Sequence, residues 1–385
     1  MNTELSVVIP CLNEEKTIGT CVKKACSAFS KLSVPGEVVV VDNGSTDRSV
    51  QIAKEAGARV IHHHPRGYGS ALKRGIREAL GTYVVMGDGD DTYDFSDIGE
   101  FIRLLREGAD FVMGNRFGGK IHPNAMPRLH RWVGTPILTW HLNLFFNTKV
   151  SDVNCGLRGF RKEAIEKIDL RSDGMEFASE MFVKAAREKL VIKETPIDYY
   201  APPLGRTSHL HSFRDGWRHL RFMLVLCPKY LFIFPGIVLS LIGLLSTVLL
   251  HFKTVYVLGL PLGISSATLA SALLFTGMQV TLFGICAIVL NGSRGLSGED
   301  KIEDFFRKYF TLERGLFTGG VIFFIGIVML IGTLARIFHV ANNLPYVDVP
   351  LARFAIFSIF VVLLGLQIIF SSFYISLFNL SKTLN

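Results

Sequence analysis

The chain has 385 residues, too many for one ordinary domain, and its 49% of hydrophobic residues is unevenly spread. Residues 1–225 have the composition of a soluble α/β protein, whereas beyond about residue 229 charges thin out and long apolar runs follow. The formal charge of +8 does not mark a nucleic-acid-binding protein, because the cations gather beside those apolar runs.

Leu5-Ser6-Val7-Val8-Ile9 predicts a first strand, ended by Pro10. A helix is expected from about Asn13-Glu14-Glu15 to Leu32, its acidic first turn suiting a helix N-terminus. After Pro35-Gly36, Glu37 to Val41 predicts a second, apolar strand that runs into Asp42-Asn43-Gly44-Ser45-Thr46-Asp47. A helix from Ser49 to about Ala56, a strand over 59–62 and the loop Arg66-Gly67-Tyr68-Gly69-Ser70-Ala71 follow. A helix from about Ser70 to Ala79 leads to a fourth strand, 82–86, which delivers Asp88-Gly89-Asp90-Asp91-Thr92-Tyr93-Asp94. Past that turn we expect a helix over 95–107 and a strand over 110–113 opening into Gly114-Asn115-Arg116-Phe117. An aromatic-rich helix or helix pair over 128–147, placed at the membrane, comes next. Asp152 to Arg161 and two helices complete the soluble half, the second helix carrying Glu176 and Glu180.

Alternating strands and helices imply a parallel sheet covered on both faces, with ligands bound at the carboxyl ends of its strands. Four loops on that edge carry polar or glycine-rich sequence: Asn13-Glu14, Asp42 to Asp47, Arg66 to Gly69 and Asp88 to Asp91. Neither GxGxxG after the first strand nor GxxxxGK[ST] is present, which excludes a dinucleotide fingerprint and a P-loop. Close carboxylates such as Asp88 and Asp90 disfavour joint ionisation unless a cation intervenes. Mg²⁺ or Mn²⁺ suits this, since it takes one or two carboxylates together with nucleotide phosphates. Alternatively the acidic turn caps the helix near Asp94. Arg116, Arg158 and Arg161 stand in glycine-punctuated loops, where arginine forks match phosphate oxygens or make salt bridges. The six cysteines form no CxxC pair and read as packing thiols, and His62-His63-His64 is a poor metal site because strand neighbours face opposite ways.

The ordered set Pro10-Cys11-Leu12-Asn13-Glu14, Asp42 to Asp47, Arg66 to Ala71, Asp88-Gly89-Asp90, Gly114 to Phe117 and Cys155-Gly156-Leu157-Arg158 resembles family 2 glycosyltransferases. Within them it is most similar to the polyprenyl-phosphate glycosyltransferases, the group of dolichol-phosphate mannose synthase, over about residues 4–235. The resemblance implies a GT-A fold, the nucleotide-diphospho-sugar transferase fold of α/β class. It implies that Pro10, Asn13 and Glu14 border the base and ribose with Asp42 nearby, and that Asp88 and Gly89 face the nucleotide. Asp90, with Asp88, would hold the metal, Arg116 and Arg158 the acceptor phosphate, and Glu180 would lie in the sugar or acceptor pocket. Asp90, Arg116 and Arg158 are thus the candidate catalytic residues. Thr92 stands where the mannose synthases often carry a Gln ligand, so the third ligand is Asp91, Thr92 or water.

The expected reaction is metal-dependent, inverting transfer of a sugar from a GDP-mannose- or UDP-glucose-type donor to undecaprenyl or dolichyl phosphate. The expected domains are a catalytic unit over 1–210, an amphipathic juxtamembrane helix over 211–229 and a membrane domain over 230–385. That last domain should hold four helices, about 230–251, 263–290, 316–341 and 352–378, each long enough to span a bilayer. Arg206, Arg214, Arg218, Arg221 and Lys229 precede the first span, and Arg294, Lys301, Arg307, Lys308 and Arg314 separate the second from the third. With no secretory leader at Met1-Asn2-Thr3-Glu4, this asymmetry predicts a multi-pass protein whose catalytic unit faces the cytoplasm. Expected partners are a nucleotide sugar, a polyprenyl phosphate and the membrane, without nucleic acid; a homo-oligomer is compatible. Two other readings compete. Arg128-Leu129-His130-Arg131-Trp132 superficially resembles the QxxRW signature of processive polysaccharide synthases, but lacks the Gln and precedes Asp152. A non-catalytic scaffold or lipid-translocation protein would have no need of both Asp88 and Asp90.

Overall fold

The computed structural model describes residues 3–146, 148–203, 217, 221, 224, 227–252, 256–257, 260–293, 305, 308, 311–341 and 349–383. The chain divides into two compact units, Met1–Met223 and Leu224–Asn385.

The first unit is built on strands whose β-branched runs are buried on both faces, as in a sheet with helices on either side. In chain order they are β1 (Leu5–Cys11), β2 (Gly36–Asp42), β3 (Arg59–His62), β4 (Tyr83–Met86), β5 (Phe111–Asn115), β6 (Arg158–Arg161) and β7 (Ile192–Pro196). They form one sheet in the order β3-β2-β1-β4-β6-β5-β7. The helices are α1 (Ile18–Leu32), α2 (Ser49–Glu55), α3 (Tyr68–Glu78), α4 (Gly99–Arg106), α5 (Thr135–Phe146), α6 (Lys162–Glu166) and α7 (Phe177–Arg187). Cys21, Val22 and Ala25 of α1 and Phe101, Ile102 and Leu105 of α4 share one apolar core with Val7, Ile9, Val38, Val40, Val85 and Val112. On the other face α3 lies so close that a Cβ at Gly75 would meet Val8 and Val41.

The sheet is not wholly parallel, which corrects the sequence expectation. β6 pairs antiparallel with both β4 and β5. The cause is the long excursion over 116–157, which leaves β5 at its carboxyl end and returns to the sheet from that end. The excursion contains a π-helical turn, His130–Gly134, that runs into α5. Its outer side exposes Leu129, Trp132, Val133, Ile137, Trp140 and Leu144, and residues 128–151 contain no Asp or Glu.

The second unit contains α8 (Phe234–Phe252), extended at its start by a π-helical turn at Lys229–Ile233, then α9 (Ile264–Ser293), α10 (Leu312–Ala341) and α11 (Val349–Thr383). Their apolar stretches, Lys229–Leu250, Ile264–Asn291, Leu312–His339 and Pro350–Leu377, are each long enough to cross a bilayer. They pack as two tight hairpins, because small residues let backbones touch where no hydrophobic force separates helix from lipid. A Cβ at Gly277 would lie 2.3 Å from the Ser240 nitrogen, and one at Gly365 2.4 Å from that of Phe323. Arg353 Nη2 donates to the Leu262 carbonyl at 2.7 Å, and Nη1 to that of Leu250. Most of the expected amphipathic helix over 211–229, Arg206, Arg214 and Arg218 included, lies outside the described residues, as do Arg294, Lys301 and Arg307.

Candidate active site

The strand order reverses between β1 and β4, and a crevice at such a switch point is where an open α/β sheet binds its ligand. The loops after β1, β2 and β4 meet there. Asn13, in the left-handed region at φ 56°, receives a hydrogen bond from the Thr46 amide at 2.8 Å and donates its own amide to Ser45 Oγ at 3.0 Å. The Glu14 amide donates to Ser49 Oγ at 2.8 Å, and the Glu15 amide to Asp47 at 3.2 Å. Pro10 does not end the strand as expected, since β1 runs on to Cys11, and a Cβ at Gly89 would lie 3.2 Å from the Pro10 carbonyl oxygen. Thr17 Oγ1 donates to the Gly89 carbonyl at 2.7 Å, tying α1 to the acidic turn.

Asp42 closes β2. It accepts from the Ser45 amide at 2.9 Å and faces His62 Nδ1 at 3.1 Å. Burial alone would raise its pKa, but the Ser45 and His62 hydrogen bonds win and hold it below the ordinary value. Asn43 braces the next loop, donating to the His63 and Pro65 carbonyls and accepting from the Gly67 amide at 2.7 Å.

The acidic turn itself sorts its carboxylates. Tyr68 donates its hydroxyl to Asp88 Oδ1 at 2.9 Å. Asp90 accepts from the Thr92 hydroxyl at 2.6 Å and the Thr92 amide at 3.2 Å. Asp91, at φ 60°, turns away and pairs with Lys24 Nζ of α1 at 2.8 Å. Gly156 lies against Asp88, where a Cβ would come 2.8 Å from Oδ2, and its amide donates to Tyr93 Oη at 2.8 Å. Asp91 is thereby committed elsewhere, and Thr92 serves Asp90 through its hydroxyl.

The arginines are less exposed than a phosphate-facing role suggests. Arg158 is 0% exposed, and its guanidinium donates to the carbonyls of Cys155 at 2.9 Å, Val153 at 2.8 Å and Ala178. It fixes the Val153–Cys155 backbone under Asp88 instead of presenting itself to a pocket. Arg116 makes a two-pronged pair with Asp152, Nε to Oδ2 at 2.6 Å and Nη2 to Oδ1 at 2.8 Å, and its guanidinium lies 5.1 Å from the Tyr199 ring centroid. Burial opposes the Arg116 charge, but Tyr93 and Asp152 more than restore it, and its pKa stays above the ordinary value.

Glu180 is likewise internal. It pairs with Lys184 at 2.8 Å and accepts from the Arg171 amide at 3.0 Å and the Ser172 amide at 2.7 Å. The loop it holds presses on the glycines flanking Tyr68: a Cβ at Gly67 would lie 2.2 Å from the Asp173 oxygen. Glu180 thus acts on the site through the loop that seats Tyr68. Tyr68, Tyr93, Asp152 and Tyr199 are site residues that sequence reading passed over. The signal for Tyr68 was available, as a phenol set between two glycines. Burial pushes the Cys11 thiol up to about 11 and that of Cys155 up to about 12, so both are packing groups, and none of the six cysteines is in a disulfide.

Residues 6–169 match the model of glycosyl transferase family 2, and residues 285–379 that of the glycosyltransferase family 2 C-terminal transmembrane region. The low-salt glycan biosynthesis hexosyltransferase Agl6 of Haloferax volcanii is 42% identical over 96% of this chain and 87% of its own length. A dolichyl-phosphate hexose transferase of the same organism is 31% identical over 51% of this chain and 82% of its own length. Among solved structures, glucosyl-3-phosphoglycerate synthase of Mycobacterium tuberculosis with Mg²⁺ and uridine diphosphate aligns with a TM-score of 0.47 at 23% identity, over 58% of this chain and 79% of that one.

Proposed function

The chain belongs to glycosyltransferase family 2, as a hexosyltransferase with a GT-A domain followed by four membrane helices, and on that premise we propose that it transfers a hexose from a nucleotide sugar to a polyprenyl phosphate. The observation that carries this reading is the sorted acidic turn: Asp88 and Asp90 held at the switch point by Tyr68 and Thr92, with Asp91 turned away. The four spans on the same chain favour an acceptor that resides in the bilayer, and the acid-free, tryptophan-bearing stripe over 129–144 suits an anionic membrane surface.

The residues present fit a divalent cation. Asp88 and Asp90 supply two hard oxygen ligands, and among the described residues no group of three His, Cys, Asp or Glu forms a closed cage. Such a set leaves coordination positions to diphosphate oxygens, the manner in which Mg²⁺ and Mn²⁺ are usually held. Once bound, the ion neutralises the charge that develops on the departing nucleoside diphosphate.

The chain's own groups do the rest. Asn13, Glu14 and Asp42 border the base and ribose, and Gly89 lets the acidic turn pack closely on Ile9 and Pro10 beside them. Arg116, whose guanidinium is spent on Asp152, supports the acceptor side through its charge instead of a direct fork on the incoming phosphate. That phosphate is already anionic at neutral pH, so no strong general base is needed. The anomeric C–O bond to the diphosphate breaks as the bond to the acceptor oxygen forms, inverting the centre. Arg158 keeps its place in the reaction by supporting the Cys155–Gly156 floor beneath Asp88.

The test supplies the full chain in nanodiscs with labelled nucleotide sugars, undecaprenyl or dolichyl phosphate, and Mg²⁺ or Mn²⁺. A lipid-linked monosaccharide, lost with chelator and in Asp90→Ala, is the expected product. A polymer would favour a processive synthase, and absence of donor binding a non-catalytic scaffold.

A further inference from the structure

The two membrane hairpins meet along α9 and α11, and the seam between them is closed unevenly. At mid-helix the Phe275 and Phe360 rings meet edge to face with centroids 6.5 Å apart. Toward the C-terminal ends of both helices the seam opens into a groove of about 430 Å³, walled by Phe283, Cys286 and Ala287 on one side and Gln367, Phe370 and Tyr374 on the other. Leu282, Ile285, Val289 and Ile375 form a buried core beside it, so the groove is a feature of a packed region. This looseness contrasts with the glycine-tight contact inside each hairpin, where backbones touch.

Its position along the bundle is fixed by the start of the first span. A Cβ at Gly284 would lie 2.7 Å from Ile233 and 2.9 Å from Phe232. The groove is therefore level with Lys229–Ile233, the first turn of the first span. The Phe275–Phe360 contact separates it from the opposite end.

We propose that this groove binds part of the isoprenoid chain of the lipid acceptor; the inference rests on the reading of that acceptor as a polyprenyl phosphate. An isoprenoid differs from a phospholipid acyl chain in its methyl branches and flat trisubstituted double bonds. Phe283, Phe370 and Tyr374 offer ring faces and edges that such a chain contacts more closely than a saturated one does. The polar groups lie on one wall, where Gln367 donates to Ser371 Oγ at 3.3 Å, and the facing wall is apolar. Holding the chain at this end keeps its phosphate in the leaflet where the first span begins, so remote binding contributes to the reaction at the headgroup.

The test compares undecaprenyl phosphate with citronellyl phosphate as acceptors for the full chain in nanodiscs. Ala287→Trp, which fills the groove, should lower the ratio of kcat/KM for the long acceptor over the short one about tenfold, the worth of fewer than two buried methylene groups. A second measurement does not depend on that variant. A diazirine-bearing farnesyl phosphate should photolabel the 282–290 and 367–374 peptides, located by mass spectrometry, and undecaprenyl phosphate should reduce that labelling where added phospholipid does not. An unchanged ratio together with equal labelling would overturn the groove assignment while leaving the transfer reaction standing. Failure of the unmodified enzyme to use either acceptor would instead overturn the acceptor reading, and the groove assignment with it.

Discussion

The two sides of the acidic turn use their polar groups differently. On the β1–β2 side, Asn13, Glu14, Asp42 and Asp47 are knit to backbone amides and hydroxyls of neighbouring loops, and the loops form one edge of the crevice. On the β5–β6 side, Arg116, Arg158 and Glu180 are spent on internal partners: a carboxylate, three carbonyls, and a lysine with two amides. The first side is shaped by hydrogen bonds between loops, which set the form of the crevice. The second is shaped by buried charge, and removing one partner there costs the fold.

The largest effect should come from the second side. Asp152→Ala leaves the Arg116 guanidinium buried without its carboxylate, which typically costs about 3–5 kcal/mol. Thermal unfolding followed by loss of protease resistance in the β5 and β6 peptides checks this, because those strands adjoin the pair. Replacing both partners with apolar residues of similar size should destabilise much less. A melting temperature unchanged in Asp152→Ala would show that the pair is not what keeps this side together. The turn itself should behave in the opposite way. Asp90→Ala should lower turnover by about 10²–10³-fold, the scale set by losing one preorganised electrostatic contact, while the melting transition stays in place. Tyr68→Phe is the milder probe. It removes the hydroxyl on Asp88 and should raise the Mg²⁺ or Mn²⁺ concentration needed for half-maximal activity about tenfold, as loss of an outer-sphere partner commonly does. A lower kcat with unchanged metal dependence would place Tyr68 outside the metal's surroundings.

The same contrast explains what could be read from the chain. β1 to β4 follow from local signals, apolar runs and polar residues at strand ends, although β1 runs on through Pro10 to Cys11 and α1 starts at Ile18, past the acidic residues expected in its first turn. The four spans follow from length and apolarity alone. The antiparallel β6 does not, because its direction depends on where the 116–157 excursion re-enters the sheet. The acidic turn was legible as a cluster but not as a sorted one. Only the left-handed conformation of Asp91 and the reach of Lys24 decide which carboxylate leaves. Arginines between glycines suggested phosphate, yet sequence carries no measure of burial, and Arg158 finds carbonyls first. The groove between α9 and α11 is invisible in the chain for a related reason, since it arises from how two hairpins meet.

The smallest effect, at Asp42, tests whether the first side also contributes to stability. Burial raises the pKa of this carboxyl, and the hydrogen bonds from Ser45 and His62 more than offset it, so the folded-state value lies below that of the unfolded chain. Between those two values the folded state binds fewer protons than the unfolded state. The contribution is therefore complete above the ordinary carboxylate range, about pH 4, and fades as pH falls through the folded-state pKa beneath it. Asp42→Asn should cost on the order of 1 kcal/mol at pH 7, and the gap from the parent protein should narrow below about pH 4. Urea unfolding followed by loss of protease resistance, with thermolysin at neutral pH and pepsin in acid, measures that gap directly. A gap that persists undiminished in acid would mean that the amide disrupts the loop geometry itself and that Asp42 acts by shape. A gap that closes assigns its effect to charge, and shows that a carboxylate of the β1–β2 side contributes to stability as well as to the shape of the crevice.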